Sequence, residues 1–154
     1  MSKEIYKERL ETLRILMREH RLGHLVVIAG KDLKYLTGMD FHLSERPVIL
    51  IVRYDAEPII IYPGFEREKV SSSSVDFQQF SYSEDAESLN NACSSALNVI
   101  KKGKIQIGVS PQSMRFLEMN LLKHAHTNIE FISAEEVFKE IYIQKSADEI
   151  ENIK

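Results

Sequence analysis

The chain has 154 residues, 44% hydrophobic and 28% charged, with a formal net charge of −3. That length suits one domain with a core of its own, and the apolar share excludes wholesale disorder. A single cysteine, Cys93, excludes an intrachain disulfide framework. The weak negative charge leaves no electrostatic footprint for DNA or RNA, and the longest apolar run, 48–52, is far shorter than the ~20 residues that span a bilayer. The N-terminus is densely charged and carries no apolar run of signal-peptide length. The expectation is a cytoplasmic domain that binds neither nucleic acid nor membrane.

In chain order, Tyr6, Leu10, Leu13 and Met17 fall at helical spacing with Lys, Glu and Arg on the other face, and Gly23 is a plausible stop. Residues 24–29 are rich in Val and Ile and read as a buried strand. Asp32 is a candidate cap for a short helical turn ending at Gly38. Two apolar, β-branched runs, 48–53 and 57–62, flank Tyr54-Asp55-Ala56 and predict an antiparallel hairpin closed by Pro63-Gly64. Residues 65–72 read as a short charged helix, the serines at 71–74 as its end and a loop, and 75–80 as a weaker strand. A long helix follows over 84–102, with Leu89, Ala92, Cys93, Ala96 and Ile100 as its apolar stripe and Gly103 as its end. Residues 104–109 read as a strand, and Ser110-Pro111 as a helix start whose buried face is Met114, Leu117 and Leu121. Residues 129–132 read as a strand. Ser133 with Glu136 is a capping box, with Val137 and Ile141 behind it. Ser146 with Glu149 is a second box, followed by Ile150 and Ile153, so a new helix is expected to start at Ser146. The hairpin argues for antiparallel pairing early, the later alternation for parallel pairing, and together they predict a mixed sheet with helices on both faces.

Signatures of chemistry are sparse. There is no H-E-x-x-H, C-x-x-C or G-x-G-x-x-G. Gly103 and Gly108 have the spacing of phosphate-loop glycines, but Val109 stands where lysine is required. His124 and His126 form an H-x-H pair near a helix end, short of the three or four ligands a metal site needs. Cys93 lies on an apolar stripe and reads as a core residue. Glu135 and Glu136 suit a helix N-terminus. One polar loop stands out at 38–47, where Asp40, His42, Glu45 and Arg46 accompany Met39 and Phe41, which read as exposed apolar residues. Local pairing of Glu45 with Arg46 is the plain alternative to a functional role.

The segments at 9–17 (R-L-E-T-L-R-I-L-M), 25–28 (L-V-V-I), 35–38 (Y-L-T-G), 45–52 (E-R-P-V-I-L-I-V), 59–66 (I-I-I-Y-P-G-F-E), 104–109 (K-I-Q-I-G-V) and 144–154 (Q-K-S-A-D-E-I-E-N-I-K) resemble, in order, the N-terminal domain of the creatinase/prolidase group. That group includes Xaa-Pro aminopeptidases and Xaa-Pro dipeptidases. Lys34 before Y-L-T-G, and Tyr142 and Gln144 before the K-S joint, depart from its pattern. The resemblance implies an α/β fold: a three-layer α/β/α unit with a mixed sheet, of the creatinase N-terminal, ribonuclease H-like kind. It implies residues 1–145 as that domain and residues 146–154 as the start of a linker or first helix into a missing pita-bread catalytic domain, where two divalent ions (Mn, Co or Zn) would sit. This stretch would then hold no catalytic residue and no metal ligand. It would serve a homodimer acting on proline-containing peptides, helping dimerisation and substrate access, with Tyr35, His42 and Arg46 as the substrate-adjacent candidates. Tyr35 as a core residue is the alternative there. Other readings are the same domain in a creatinase-type amidinohydrolase, or a non-enzymatic binding or dimerisation module of the kind found in histone-chaperone subunits.

Overall fold

The computed structural model describes residues 4–100 and 103–153. They form α1 (Glu4–Glu19), β1 (His24–Ile28), α2 (Lys31–Thr37), β2 (Ile49–Arg53), β3 (Ile59–Pro63), a 3-10 turn (Gly64–Glu66) running into α3 (Arg67–Ser71), β4 (Gln78–Tyr82), α4 (Ala86–Asn98), β5 (Ile105–Val109), α5 (Phe116–Ala125), β6 (Ile129–Ser133) and α6 (Glu135–Ile153). One six-stranded sheet has the order β4-β3-β2-β1-β5-β6. Strand β2 is antiparallel to β1 and β3, while the β3–β4, β1–β5 and β5–β6 pairs are parallel. Five strands therefore point one way, and their carboxyl ends share one edge of the sheet with the start of β2.

Strand alternation sorts the side chains into two cores. Leu25, Val27, Leu50, Val52, Ile60 and Tyr62 face the layer of α1, α2, α3 and α6. Val26, Ile28, Ile49, Ile51, Ile59 and Ile61 face α4 and α5. Strands β1, β2 and β3 are buried on both sides, which is why they read as unbroken apolar runs. Arg14 of α1 fastens the hairpin turn, donating through Nε to the Arg53 carbonyl (3.1 Å) and through Nη2 to that of Ala56 (2.8 Å).

The three-layer α/β/α mixed sheet matches the expectation, but several boundaries move. Helix α1 is closed by Arg21 rather than Gly23. Arg21 takes φ +57°, its N–H donates to the Arg18 carbonyl, and the Leu22 N–H donates to that of Met17 (2.8 Å). This is a Schellman closure built on a non-glycine residue. Helix α2 does end at Gly38, which is left-handed at φ +80°, but its N-cap is Gly30, with Asp32 inside the first turn. Strand β4 lies about three residues beyond the predicted one. Val75 and Phe77 are loop residues packed into the α1 layer, and the strand itself is a polar edge strand. Helix α4 begins after the Asp85 cap and ends at Asn98, before Gly103; residues 101–102 of its predicted end lie outside the described residues.

Helix α5 starts at Phe116, not at Pro111. Residues 110–114 form a turn in which the Ser110 carbonyl accepts from Ser113 and Met114. Its buried face is Glu118 and Leu122, with Leu117 39% exposed. No helix begins at Ser146, because α6 runs unbroken through that position. Ser133 Oγ accepts from the Glu135 N–H (3.3 Å), as a helix-entry cap would, while Glu136 pairs outward with Lys139 (3.8 Å).

Candidate functional site: the 38–47 loop

Glycine 38 turns the chain out of α2 into the loop. Thr37 Oγ1 donates to the Leu33 carbonyl (2.7 Å) and accepts from the Met39 N–H (3.2 Å), which fixes the first turn. Met39 and Phe41 are 3% and 5% exposed and packed into the α1-side core. The expectation that they stand in solvent is therefore wrong: they anchor the loop. Lys69 of α3 covers them, with its ammonium 4.6 Å from the Phe41 ring centroid and donating to the Asp40 carbonyl (2.8 Å). At the far end the Tyr82 hydroxyl donates to the Pro47 carbonyl (2.7 Å) in a buried contact. Burial drives the Tyr82 phenol well above its ordinary value, so it remains a neutral donor. With both ends pinned, His42 and Leu43 form an exposed crest.

Arginine 46 lies beside that crest, at the sheet edge where the parallel strands end. Glu84 is its principal partner: Nη2 and Nε donate to the carboxylate at 3.1 and 3.3 Å. Glu45 is more distant, at 3.8 Å. The Phe65 ring, 64% exposed, lies 5.3 Å from the guanidinium. Glu84 is placed by the start of α4. Asp85 caps that helix through the Ser88 N–H (2.7 Å), a bond that holds the Asp85 carboxyl below the usual range. Arg46 thus joins the β3 and β4 ends to the loop while 46% of its side chain stays in water.

Tyrosine 35 lies elsewhere. It is half-buried against α1, with the Arg9 guanidinium 4.0 Å from its ring centroid and Arg9 Nη1 donating to its carbonyl (2.9 Å). With Thr12, Ile141 and Gln144 it borders a cleft of about 290 Å³ between α1 and α6. Tyr35 thus belongs to the α1–α6 cleft, whereas Arg46 is held by Glu84 and His42 stands on the exposed crest of the loop. Glu84, Phe65 and Tyr82, the groups that hold the loop and Arg46, come from positions distant in the chain and carry no local sequence signal.

Cys93, His126 and Glu118 serve the fold. Cys93 is fully buried and its thiol is pushed up to about 12 by burial, which makes it a poor thiolate. His126 accepts from the Asn128 N–H (3.2 Å) at the end of α5. Glu118, 0% exposed, is held by Arg115 Nε at 3.0 Å, an i,i+3 pair inside the α4–α5 layer. Among the described residues no three of His, Cys, Asp and Glu gather as ligands for a metal ion, and no helix is long and apolar enough to cross a membrane.

The family model described as the Creatinase/Prolidase N-terminal domain matches residues 9–141, and the chain belongs to that family. The Bacillus subtilis protein named "Putative dipeptidase YkvY" is 27% identical over 123 residues, which cover 78% of this chain and 33% of that protein. The chain therefore spans about a third of the length of that relative. Among solved structures, a prolidase from Thermococcus sibiricus superposes with a TM-score of 0.76 at 17% identity, covering 92% of this chain and 37% of that one. A domain of a dipeptidase from Streptococcus thermophilus superposes at 0.72 with 23% identity, covering 92% and 98%. The fold is thus shared with N-terminal domains of dipeptidase-like proteins.

Proposed function

We propose that this chain is the N-terminal domain of an Xaa-Pro metallopeptidase, a proline dipeptidase or aminopeptidase, working in the cytoplasm as a homodimer. Residues 1–145 form the domain, and 146–154 lead toward a catalytic domain. The observation that carries the reading is the family match along residues 9–141. In such an enzyme two divalent ions would supply Lewis-acid chemistry to the hydrolysis. The described residues of this chain offer no donor cluster that fits them, so no step of that chemistry is assigned here.

The role proposed for the domain is dimerisation and control of substrate access. The 38–47 loop suits it because its ends are anchored while His42 and Leu43 remain exposed. Arg46 would receive the carboxylate of a peptide, since a guanidinium can hold both oxygens at once. It would exchange Glu84 for that carboxylate. The Arg46–Glu84 pair is exposed on both sides (46% and 70%), and such surface pairs hold weakly, so the exchange costs little. Tyr35, through Arg9, steadies α2 on α1 at the base of the loop.

Two measurements test this. The coding sequence beyond Lys154 is read for two aspartates, one histidine and two glutamates in the order of a dinuclear hydrolase. The full-length product carrying Arg46→Ala is then assayed on an Xaa-Pro dipeptide. The expected result is a raised KM with kcat little changed. A frame without those ligands overturns the peptidase reading, and an unchanged KM overturns the role of Arg46.

A further inference from the structure

Strands β1 and β5 are adjacent and parallel, yet the chain leaves them toward opposite faces. Helix α2, after β1, packs into the α1 layer, and α5, after β5, packs against α4. Such a divergence opens a crevice beyond the carboxyl ends of the two strands, the position at which open α/β sheets take ligands. A cavity of about 280 Å³ occupies that position here. It is walled by Lys31 and Asp32 at the start of α2, by residues 110–113 after β5, and by Glu135, Phe138, Lys139 and Tyr142 of α6. The size is just under that of ordinary small-molecule pockets, roughly 300 Å³ and upward.

The charges in this wall are unevenly satisfied. Glu135 and Lys139 pair with each other at 3.5 Å. Asp32 is half-buried, and among the described residues no side chain donates a hydrogen bond to its carboxylate; burial pushes its pKa up. Lys31 has no carboxylate at ion-pair distance among the described residues, and its ammonium lies 5.0 Å from the centre of the Tyr142 ring. The Tyr142 hydroxyl is buried without a hydrogen-bond partner among the described residues, a costly arrangement for a polar atom. A half-buried carboxylate with no side-chain hydrogen-bond donor among the described residues, opposed only by the charge of Lys31, an exposed ammonium over the Tyr142 ring, and a buried hydroxyl without a described partner therefore line a single cavity. An ion of either sign would meet one partner and one like charge. A molecule carrying both charges would meet two partners.

We propose that the crevice between β1, β5 and α6 binds a small zwitterion of the free amino acid type, its ammonium on Asp32, its carboxylate toward Lys31, and its apolar side chain against Phe138 and Pro111. None of the residues of the 38–47 loop lines this cavity, so the inference stands apart from the role given to that loop.

The test uses the 154-residue chain, labelled with nitrogen-15 and titrated with L-leucine. Two half-ligands run in parallel: L-leucine methyl ester, which lacks the carboxylate, and N-acetyl-L-leucine, which lacks the ammonium. L-Leucine is expected to shift the amides of residues 31–32, 110–113 and 135–142 saturably. Each half-ligand, and L-leucine with the Asp32→Asn variant, is expected to bind at least about tenfold more weakly. Asp32 makes no side-chain hydrogen bond that folding depends on, and Lys31→Gln provides a second variant on the opposite charge. The proposal is overturned by no saturable shift, by shifts confined to other residues, by half-ligands that bind as well as L-leucine, or by two variants that bind like the wild type.

Discussion

Replacing Gly38 by alanine tests how the candidate loop is held. The residue sits at φ +80°, where an L side chain is strained, and a Cβ there would lie 2.8 Å from Cζ, 2.9 Å from Cε2 and 3.1 Å from the hydroxyl of Tyr6. Two costs add. The left-handed backbone costs a residue with a Cβ about 1–2 kcal/mol. Displacing the ring costs about 1 kcal/mol, the low end of the overpacking range, because the clash falls on the far end of a half-buried side chain that can swing. The expected loss is about 2–3 kcal/mol, read from urea unfolding as a lower midpoint at unchanged m. The two parts can be separated. In a Tyr6→Ala background the Gly38→Ala cost should fall to the backbone share alone, about 1–2 kcal/mol. Gly38→Asn should relieve part of the backbone strain and keep the clash, since asparagine tolerates the left-handed region. A Gly38→Ala cost within about 0.5 kcal/mol of zero, or one that is the same with and without the Tyr6 ring, would refute the reasoning.

The other predictions rest on separate features. Arg21 closes α1 at φ +57°, so Arg21→Gly should stabilise the chain by about 0.5–1 kcal/mol, seen as a higher urea midpoint. Arg115→Ala leaves fully buried Glu118 without its partner. It should cost about 2–3 kcal/mol, somewhat below the range for a wholly buried pair, because Arg115 keeps 26% of its side-chain surface in water; Arg115→Met with Glu118→Leu should recover most of that loss. His24 has its pKa lowered by burial first and then by Arg53, with Asp55 opposing. The unfolded chain therefore binds its proton more readily, and stability should fall as pH drops below about 6.5. Denaturant midpoints measured across that range should lose this slope in a His24→Asn variant.

The legible parts of the fold are those in which local pattern and tertiary environment agree. Strands β1, β2 and β3 are buried on both faces, so their apolar runs could hardly be anything else, and the turn between β2 and β3 carries its own polar signal. The misplaced elements are those in which a local signal was answered by a different neighbour. Val75 and Phe77 look like strand residues because they are apolar, yet they serve the core from a loop, while β4 is written in glutamine and serine as an edge strand can be. Ser110-Pro111 is a good helix start by chemistry, but the chain turns there through bonds to the Ser110 carbonyl, and α5 begins only after Arg115. An i,i+3 spacing of arginine and glutamate does not by itself say that the pair is buried, as Glu118 is.

The same distinction governs the site. His42 and Arg46 could be picked out as polar groups on a loop, and they are exposed. Met39 and Phe41 turn inward against the expectation, because a loop's sequence does not say which of its apolar residues do so. Here Lys69 and α3, almost thirty residues further on, close over them. The partners that give Arg46 its position, Glu84 and Phe65, are brought to it by strand order alone, since β3 and β4 end beside the start of β2. The crevice holding Lys31, Asp32 and Tyr142 is further still from anything local. It exists because β5 inserts next to β1 and sends its helix to the opposite face, so it follows from connectivity and would persist through most substitutions of its lining. Exchanging Asp32 or Lys31 should therefore change what the crevice holds without closing it.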